Sequence, residues 1–307
     1  RAPELVLAER QVREVEARRN GAGIILPVNP RLQLEARPGL GDKPFGELGY
    51  AATLDTLFDL GGAPGARVRE VQRDVERAEA ERSLERVFAR LRVVAAYLGA
   101  QLAELQAREA RAGLDLARRV LDAADKRIEA GAGAEFERAS AQLELARIEA
   151  SEQAALRERD EQLMQLREQL DLPAEQALTL TTGVDTPQPL ATIKVYLDAA
   201  KKSHPELVAS QARLRAYGAT QARLEREVFP RLGLYAGVDA APKSPVYGVL
   251  GVTGELPVAQ RNQGPRAVVA RALETEQTRF ELTERRIAGE IRAAWDAHAR
   301  RLPEYPT

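Results

Sequence analysis

The side chains best suited to chemistry are scarce in this sequence and widely spaced. Its 307 residues contain no Cys and two His, His204 and His298. The lack of Cys excludes thiol nucleophiles, disulfide frameworks and Cys-ligated zinc or iron–sulfur centres. His204 precedes Pro205, which predicts a position at a helix start, and His298 falls in a charged helical stretch. We therefore expect no metal site and no bound cofactor.

Acidic residues and glycines mark two further places where chemistry is conceivable. Glu135 and Glu137 follow a Gly-rich break and would attract cations, but on a chain this charged a solvated helix face is the favoured interpretation. Asp59, Gly61 and Gly62 stand where a strand gives way to a helix. Because the spacing of a phosphate-binding loop is absent, we interpret them as helix-cap and corner residues. No Ser/His/Asp set, HExxH, Walker or Rossmann pattern occurs, so the chain is not expected to be an enzyme.

Composition sets the broad class of the protein. Charged residues make up 30% of the chain and aromatic residues 5%, with 45 Lys and Arg against 46 Asp and Glu. This balance argues against a nucleic-acid binder, which needs a surplus of positive charge. A chain so rich in Ala, Leu, Glu and Arg is typical of long helices or coiled coils. No apolar run approaches the ~20 residues of a membrane-spanning helix.

The chain contains two copies of one structural unit. Residues 2–6 (APELV) recur as 204–208 (HPELV), and residues 30–34 (PRLQL) recur as 230–234 (PRLGL). We expect a first repeat over 1–190 and a second over 191–307. The predicted parts of the first are a helix from Pro3 to about Ile25, a β-hairpin at 30–58, a long helical hairpin at 64–171 and a connector at 172–190. The predicted parts of the second are a short helix at 191–202, a helix from Pro205 to about Val228, a β-hairpin at 230–256 and a truncated long helix at 264–301.

Residue periodicity supports these elements. Leu32, Leu34 and Ala36 alternate with polar residues, which is the pattern of a strand with one apolar face. The first long helix carries apolar residues at a spacing of seven, which predicts a coiled-coil seam. These residues are Leu84, Leu91, Leu98, Leu105 and Ala112. The break at 131–133 (GAG) then predicts a turn into an antiparallel second helix.

The number of strands per chain has a consequence for assembly. Two hairpins supply four strands, and a sheet of four strands has two open edges. Three chains would supply twelve strands, enough for a barrel with an open lumen. The long helices would continue this tube as a cylinder, so the arrangement predicts a conduit.

Short motifs follow one another in a fixed order along nearly the whole chain. They are 54–62 (LDTLFDLGG), 96–98 (AYL), 127–131 (RIEAG) and 204–207 (HPEL). Together they resemble the TolC-like outer-membrane efflux proteins, although Thr56 stands where that family usually has Pro. Residues 256–264 (LPVAQRNQG) resemble the form found in its heavy-metal efflux branch, the CzcC-like group.

The resemblance implies a mainly α fold with two β-hairpins. In this fold, long antiparallel coiled-coil helices form an α-barrel, and a homotrimer closes a twelve-stranded β-barrel. The implied function is a passive exit duct of a tripartite efflux pump, located in the outer membrane with a periplasmic extension and exporting metal cations or small molecules. The implied partners are outer-membrane lipid, a periplasmic adaptor (membrane fusion) protein and an inner-membrane transporter, with no role for nucleic acid.

The resemblance also assigns sites. It implies that an adaptor docks at the tip of the helical hairpin. The simpler interpretation is that the tip is a helix break with an exposed basic residue. The tip residues are Arg127, Gly131, Ala132 and Gly133. The strand-to-helix corners, with a structural role, comprise Asp59, Gly61, Gly62, Gln263 and Gly264. Tyr97 and Trp295 occupy equivalent helix positions and are interpreted as packing residues.

Two other functions remain open at this point. A protein-export duct of a type I secretion system would keep the same fold. A soluble coiled-coil scaffold would keep the long helices but would not need two matched β-hairpins.

Overall fold

The computed structural model describes residues 3–38, 48–173, 175–181, 189–241 and 244–304. The loop of the first β-hairpin, residues 242 and 243 of the second and the middle of the connector at 172–190 lie outside these residues. The elements in chain order are α1 (Pro3–Ala17), α2 (Arg19–Ala22), β1 (Arg31–Pro38), β2 (Leu48–Phe58), α3 (Ala63–Glu129), α4 (Glu135–Leu170), α5 (Ile193–Ser203), α6 (Pro205–Arg226), β3 (Arg231–Ala240), β4 (Tyr247–Glu255) and α7 (Gln263–Arg301). A 3-10 turn at Leu302–Glu304 follows α7.

The predicted opening helix to about Ile25 is wrong in its second part. Helix α1 ends at Ala17, and within the short α2 both Asn20 and Gly21 leave the helical conformation. Gly21 adopts φ +94°, a region that glycine enters without the steric cost other residues meet. The end of the chain differs slightly too, because a 3-10 turn stands where no helix was predicted.

By its packing the chain divides into two compact units. One is formed mainly by Glu85–Pro189, and the other by Ala8–Leu84 together with Leu190–Glu304. Within the described residues, no helix combines the length and the apolar content that crossing a bilayer requires.

The first unit is a helical hairpin made from the second part of α3 and from α4. Ion pairs join Arg118 to Glu149 at 3.6 Å and Asp125 to Arg138 at 2.9 Å. As residue numbers rise along α3 the paired numbers fall along α4, so the two helices are antiparallel. This confirms the helical hairpin expected from the GAG break.

The seam of this hairpin is not the predicted one. The buried residues of α3 in this unit are Ala89, Ala100, Ala103, Ala107, Leu114 and Ala117, with Gln101. Arg118 and Asp125, which pair with α4, lie beside this stripe of small residues. The predicted seam lies about 180° away around the helix, and Leu98 within it is 55% exposed. Alanines lie at the seam because small side chains let two helix axes approach more closely.

The second unit contains the sheet. Its order is β1-β2-β3-β4 with every neighbouring pair antiparallel. Strands β2 and β3 join the two predicted hairpins, with Leu54 opposite Ala236. Helix α7 packs against α6 and α5. A small core of Val12, Val15, Val75 and Ala78 lies between α1 and the first part of α3.

Candidate functional sites

The tip of the helical hairpin is a tight turn that uses two glycines. Gly131 adopts φ +73°, and its N–H donates to Ile128 O at 2.9 Å. The N–H of Ala132 donates to Arg127 O at 2.9 Å. These two bonds form a Schellman motif, which satisfies the last carbonyls of a helix and favours Gly at the left-handed position. A Cβ on Gly133 would lie 2.9 Å from the backbone nitrogen of Ile128, so this position also has no room for a side chain.

Charged residues around the turn are largely paired. Arg127 Nη1 lies 3.4 Å from Glu137 Oε2, and Arg138 lies 4.0 Å from Glu135. Lys126 donates to Asp122 at 2.6 Å, and this hydrogen bond raises the pKa of Lys126. The acidic pair at 135 and 137 is therefore engaged with arginines on an exposed face.

One apolar residue of the tip was missed by the sequence reasoning. Phe136 lies in the first turn of α4 and is 79% exposed. Its signal in the sequence is a large aromatic residue placed directly after a Gly-rich turn, between two acids.

The first strand-to-helix corner is organised by the buried carboxylate of Asp59. It accepts hydrogen bonds from Arg67 Nη1 at 2.7 Å and from Arg231 Nε at 2.9 Å. Arg67 also donates to the carbonyls of Ala22 and Ile24. The carboxylate oxygens are thus used by arginines, not by the first N–H groups of α3 as a helix cap would require. The sequence indicated Asp59, but neither arginine.

Two glycines give this corner its shape. A Cβ on Gly61 would overlap the side chain of Phe229, which lies against the glycine. Gly62 adopts φ +79° and begins the turn into α3, where its carbonyl accepts from the N–H of Ala66 at 3.1 Å. Both predicted glycines therefore have a physical reason to be glycine, and Phe229 is a partner that sequence reasoning missed.

The second corner is built differently. Asn262 adopts the left-handed conformation at φ +55°, which Asn tolerates better than most residues. Its Nδ2 donates to Leu224 O at 3.2 Å. Gln263 accepts from the N–H of Arg261 at 2.7 Å and donates to Ala259 O at 3.1 Å. Around Gly264 a Cβ would meet open space, so Asn262 and Gln263 form this corner and Gly264 does not need to be glycine.

The sheet has one polar and one apolar face. Alternation along the strands, combined with the register, places apolar side chains together on one face. These are Leu32, Leu34, Tyr50, Leu54, Leu232, Leu234, Val238, Leu250 and Val252, all exposed. The opposite face is mainly polar, and besides Leu57, Tyr247 and Val249 it carries Arg31, Gln33, Glu35, Arg37, Thr53, Asp55, Arg231, Tyr235, Asp239, Thr253 and Glu255. Among these, Arg37 bridges Glu35 at 2.9 Å and Asp239 at 3.0 Å.

A buried ionic cluster holds α6 against its neighbours in the same unit. Glu276 of α7 is 2% exposed and accepts from Ser210 Oγ at 2.8 Å. Arg213 of α6 pairs with Glu81 at 2.7 Å and with Glu276 at 3.6 Å. Burial alone would lower the pKa of Arg213, but the hydrogen bond and charge of Glu81 together with the charge of Glu276 outweigh it and raise the pKa. The cluster fixes helix positions and offers no open site.

A model of the outer membrane efflux protein family matches residues 3–170, more than half of the chain. The chain belongs to this family. A comparison with curated protein sequences finds no match.

Solved structures share the fold of this efflux protein. The outer-membrane channel OprN is similar with a TM-score of 0.74 and 19% identity, over 97% of this chain and 71% of that chain. The CmeC outer membrane channel of Campylobacter jejuni has a TM-score of 0.69 and 14% identity, over 96% and 67%. The open state of the MtrE outer membrane channel of Neisseria gonorrhoeae has a TM-score of 0.60 and 16% identity, over 99% and 70%.

The family assignment confirms the predicted fold class and class of function. The efflux protein is an outer-membrane channel with a periplasmic extension, and such channels are passive conduits rather than enzymes. No group of His, Cys, Asp or Glu among the described residues has the arrangement of a metal site.

The two histidines and Trp295 of the efflux protein lie in helical surroundings. His204 precedes α6 in extended conformation and its carbonyl accepts from Val208, which confirms the helix-start interpretation. Trp295 donates to Ala191 O at 3.0 Å. It lines a cavity of about 310 Å³ with Leu190, Tyr196, Ile291, Ala294 and His298.

Proposed function

We propose that this efflux protein is the exit duct of a trimeric pump assembly and a passive conduit for metal cations or small molecules. The observation that carries the proposal is the two-faced sheet. On its apolar face, Leu34 is 72% and Leu250 is 83% exposed. This face suits contact with the acyl chains of lipids, because exposing so much apolar surface to water is unfavourable. Its opposite face carries acids and bases, which suit a water-filled lumen.

Unpartnered edges and faces support assembly into a trimer. Among the described residues, strands β1 and β4 are each paired on one side only, and open edges favour pairing with another chain. The exposed stripe on α3, which includes Leu91, Leu98 and Leu102, offers further apolar surface to a neighbouring copy. Three sheets joined edge to edge would provide twelve strands.

The proposed partners follow from what the chain carries. In this proposal, energy for export comes from an inner-membrane transporter. The tip at Arg127, Gly131, Ala132 and Gly133 is the proposed docking place of a periplasmic adaptor. Its support is the tight, glycine-dependent turn, in which Gly131 and Ala132 are exposed.

The corners at Asp59, Gly61, Gly62, Gln263 and Gly264 have a structural role in the proposal. They redirect the chain from a strand into a long helix at two places. The same order of hairpin, corner and long helix at both places supports the division into repeats at 1–190 and 191–307, which stays a proposal.

The test compares neighbouring residues on opposite faces of β1. Leu34→Arg places a charge on the apolar face, where it costs about 2–4 kcal/mol near the middle of a bilayer. Gln33→Arg is the matched control on the polar face. In an efflux-deficient strain, we expect wild type and Gln33→Arg to reach the outer-membrane fraction and restore resistance to exported compounds, and Leu34→Arg to fail in both.

The opposite result would support a soluble scaffold. If wild type fractionates with soluble proteins and remains monomeric without detergent, and Leu34→Arg behaves as wild type, then the duct proposal is refuted.

A further inference from the structure

The exposed aromatic residue at the tip is costly unless something covers it. Phe136 lies directly after the turn and is 79% exposed. Burying a phenyl ring is favourable, and this side chain does not obtain that stabilisation within the described residues. Aromatic residues are enriched in the buried cores of protein interfaces, so the position of Phe136 indicates a surface used by a partner.

Phe136 does not stand alone on its helix. Ala139 and Leu143 follow at i+3 and i+7, which is the same face of α4. Both are exposed, Leu143 to 75%. We call these three residues the tip ridge. A single exposed apolar residue needs no explanation, but a continuous row that begins at a turn marks a binding surface.

Charges around the tip ridge favour a partner of positive charge. Between residues 122 and 138 there are five acids and three bases, a net charge of −2. The acids are Asp122, Asp125, Glu129, Glu135 and Glu137, and the bases are Lys126, Arg127 and Arg138. Each base already lies in an ion pair within the chain. The surplus at the rim is therefore negative, and it attracts basic groups.

We propose that the tip ridge is the anchor of the adaptor-docking surface, with Phe136 inserting into an apolar recess of the adaptor that is bordered by Lys or Arg. The inference rests on the proposed function, in which the tip binds a periplasmic adaptor. It adds the chemistry of that partner and moves the centre of the contact from the glycine turn to α4.

The test measures binding of the purified periplasmic adaptor of the same bacterium to the full chain in detergent micelles, by biolayer interferometry. Because truncation of a central aromatic anchor costs about 2 kcal/mol or more, Phe136→Ala is expected to weaken binding by more than about tenfold. Phe136→Leu retains an apolar side chain and is expected to stay within about threefold of wild type. Met164→Ala, in the same unit, far from the tip on α4 and 59% exposed, is the matched control and is expected to leave affinity unchanged.

A salt series tests the charge of the partner. Raising ionic strength is expected to weaken wild-type binding, because the Debye length shortens from about 10 Å at 0.1 M to about 3 Å at 1 M. The double substitution Glu129→Gln with Glu135→Gln is expected to weaken binding at low salt and to reduce this salt dependence. If wild-type binding strengthens with salt, the proposal that Lys or Arg borders the recess of the adaptor is refuted.

The outcomes separate the inference from the proposed function. If Phe136→Ala binds as wild type while Ala132→Arg abolishes binding, the tip docks the adaptor and the anchor role of Phe136 is refuted. If neither affects binding, docking at the tip is itself refuted. If, without the adaptor, wild type self-associates and Phe136→Ala does not, then the tip ridge binds a second copy of the chain and the inference is overturned. Circular dichroism verifies that each variant is helical, and Leu143→Ala decides if Phe136→Ala does not fold.

Discussion

At the scale of single residues, the two corners show that equivalent positions need not have equivalent requirements. Gly61 touches Phe229 and Gly62 has a positive φ, whereas Gly264 is free of both constraints. The sequence suggested one role for all three. The structure assigns the corresponding role in the second corner to Asn262, whose left-handed backbone replaces that of a glycine.

The first prediction compares these glycines directly. Gly61→Ala forces Phe229 to shift and is expected to destabilise the folded protein by about 1–3 kcal/mol, the usual cost of overpacking. Gly264→Ala, within helix α7, is expected to be neutral or slightly stabilising because Ala favours helix over Gly. Thermal melting followed by circular dichroism in detergent measures both. Equal melting temperatures for the two variants would show that Phe229 does not constrain Gly61.

The second prediction concerns the buried carboxylate of Asp59. Asp59→Ala leaves Arg67 and Arg231 without their shared partner. Since both arginines keep partial access to water, we expect a loss of about 2–3 kcal/mol, less than the roughly 3–5 kcal/mol for a fully buried pair. Glu76→Ala removes an exposed pair with Arg73 at 2.6 Å and is expected to change stability by less than about 1 kcal/mol. Denaturant unfolding in detergent compares the two, and a larger loss for Glu76→Ala would contradict this ranking.

At the scale of elements, the two stripes on α3 explain why its prediction was only partly right. Both stripes repeat at heptad spacing, so periodicity found the helix and its hairpin. Periodicity could not show which face of α3 is buried. The large side chains of Leu98 and its equivalents suggested that their face is buried, whereas the buried face carries Ala100 and Ala103. Which face of α3 is buried depends on both helices, so periodicity along one of them does not determine it. Sequence patterns also could not identify Arg231 as a partner of Asp59, since the two lie 172 residues apart along the chain.

The third prediction uses two adjacent residues of α3, of which Ala103 is buried and Leu102 is 57% exposed. Ala103→Leu enlarges a side chain in the seam with α4 and is expected to lower stability by about 1–3 kcal/mol. Leu102→Ala, on the exposed stripe, is expected to leave the helical hairpin intact but to weaken association of copies. Circular dichroism melting reports the first effect, and sedimentation in detergent reports the second. A loss of helical stability in Leu102→Ala alone would mean that the exposed stripe is the true seam.

At the scale of the whole molecule, the open edges of the sheet predict how copies of the chain assemble. If copies join edge to edge, β1 of one copy lies beside β4 of the next. Because the chain has no Cys, introduced cysteines are the only thiols. The pairing within one copy is known, which supplies an internal control.

The fourth prediction is therefore a crosslinking pattern. Leu34→Cys combined in one chain with Cys at 248, 250 or 252 of β4 is expected, in at least one register, to give oxidised dimers and trimers on a non-reducing gel. Ala52→Cys with Val238→Cys, opposite each other in one sheet, is expected to give a crosslinked monomer only. If the control oxidises but no register of the first set gives species larger than a dimer, the trimer is refuted.

The strand order also determines when the sheet can form as the chain folds. The closest pairs within each β-hairpin, Pro38 with Leu48 and Asp239 with Tyr247, are about ten residues apart, whereas Phe58 and Leu232 in the central pair are separated by 174. Closing the longer loop costs roughly 2–3 kcal/mol more in chain entropy. Contacts along the helical hairpin form between nearer residues, which favours rapid formation. We expect the helical hairpin to form first and to shorten the gap between the two β-hairpins, so that the pairing of β2 with β3 is completed last.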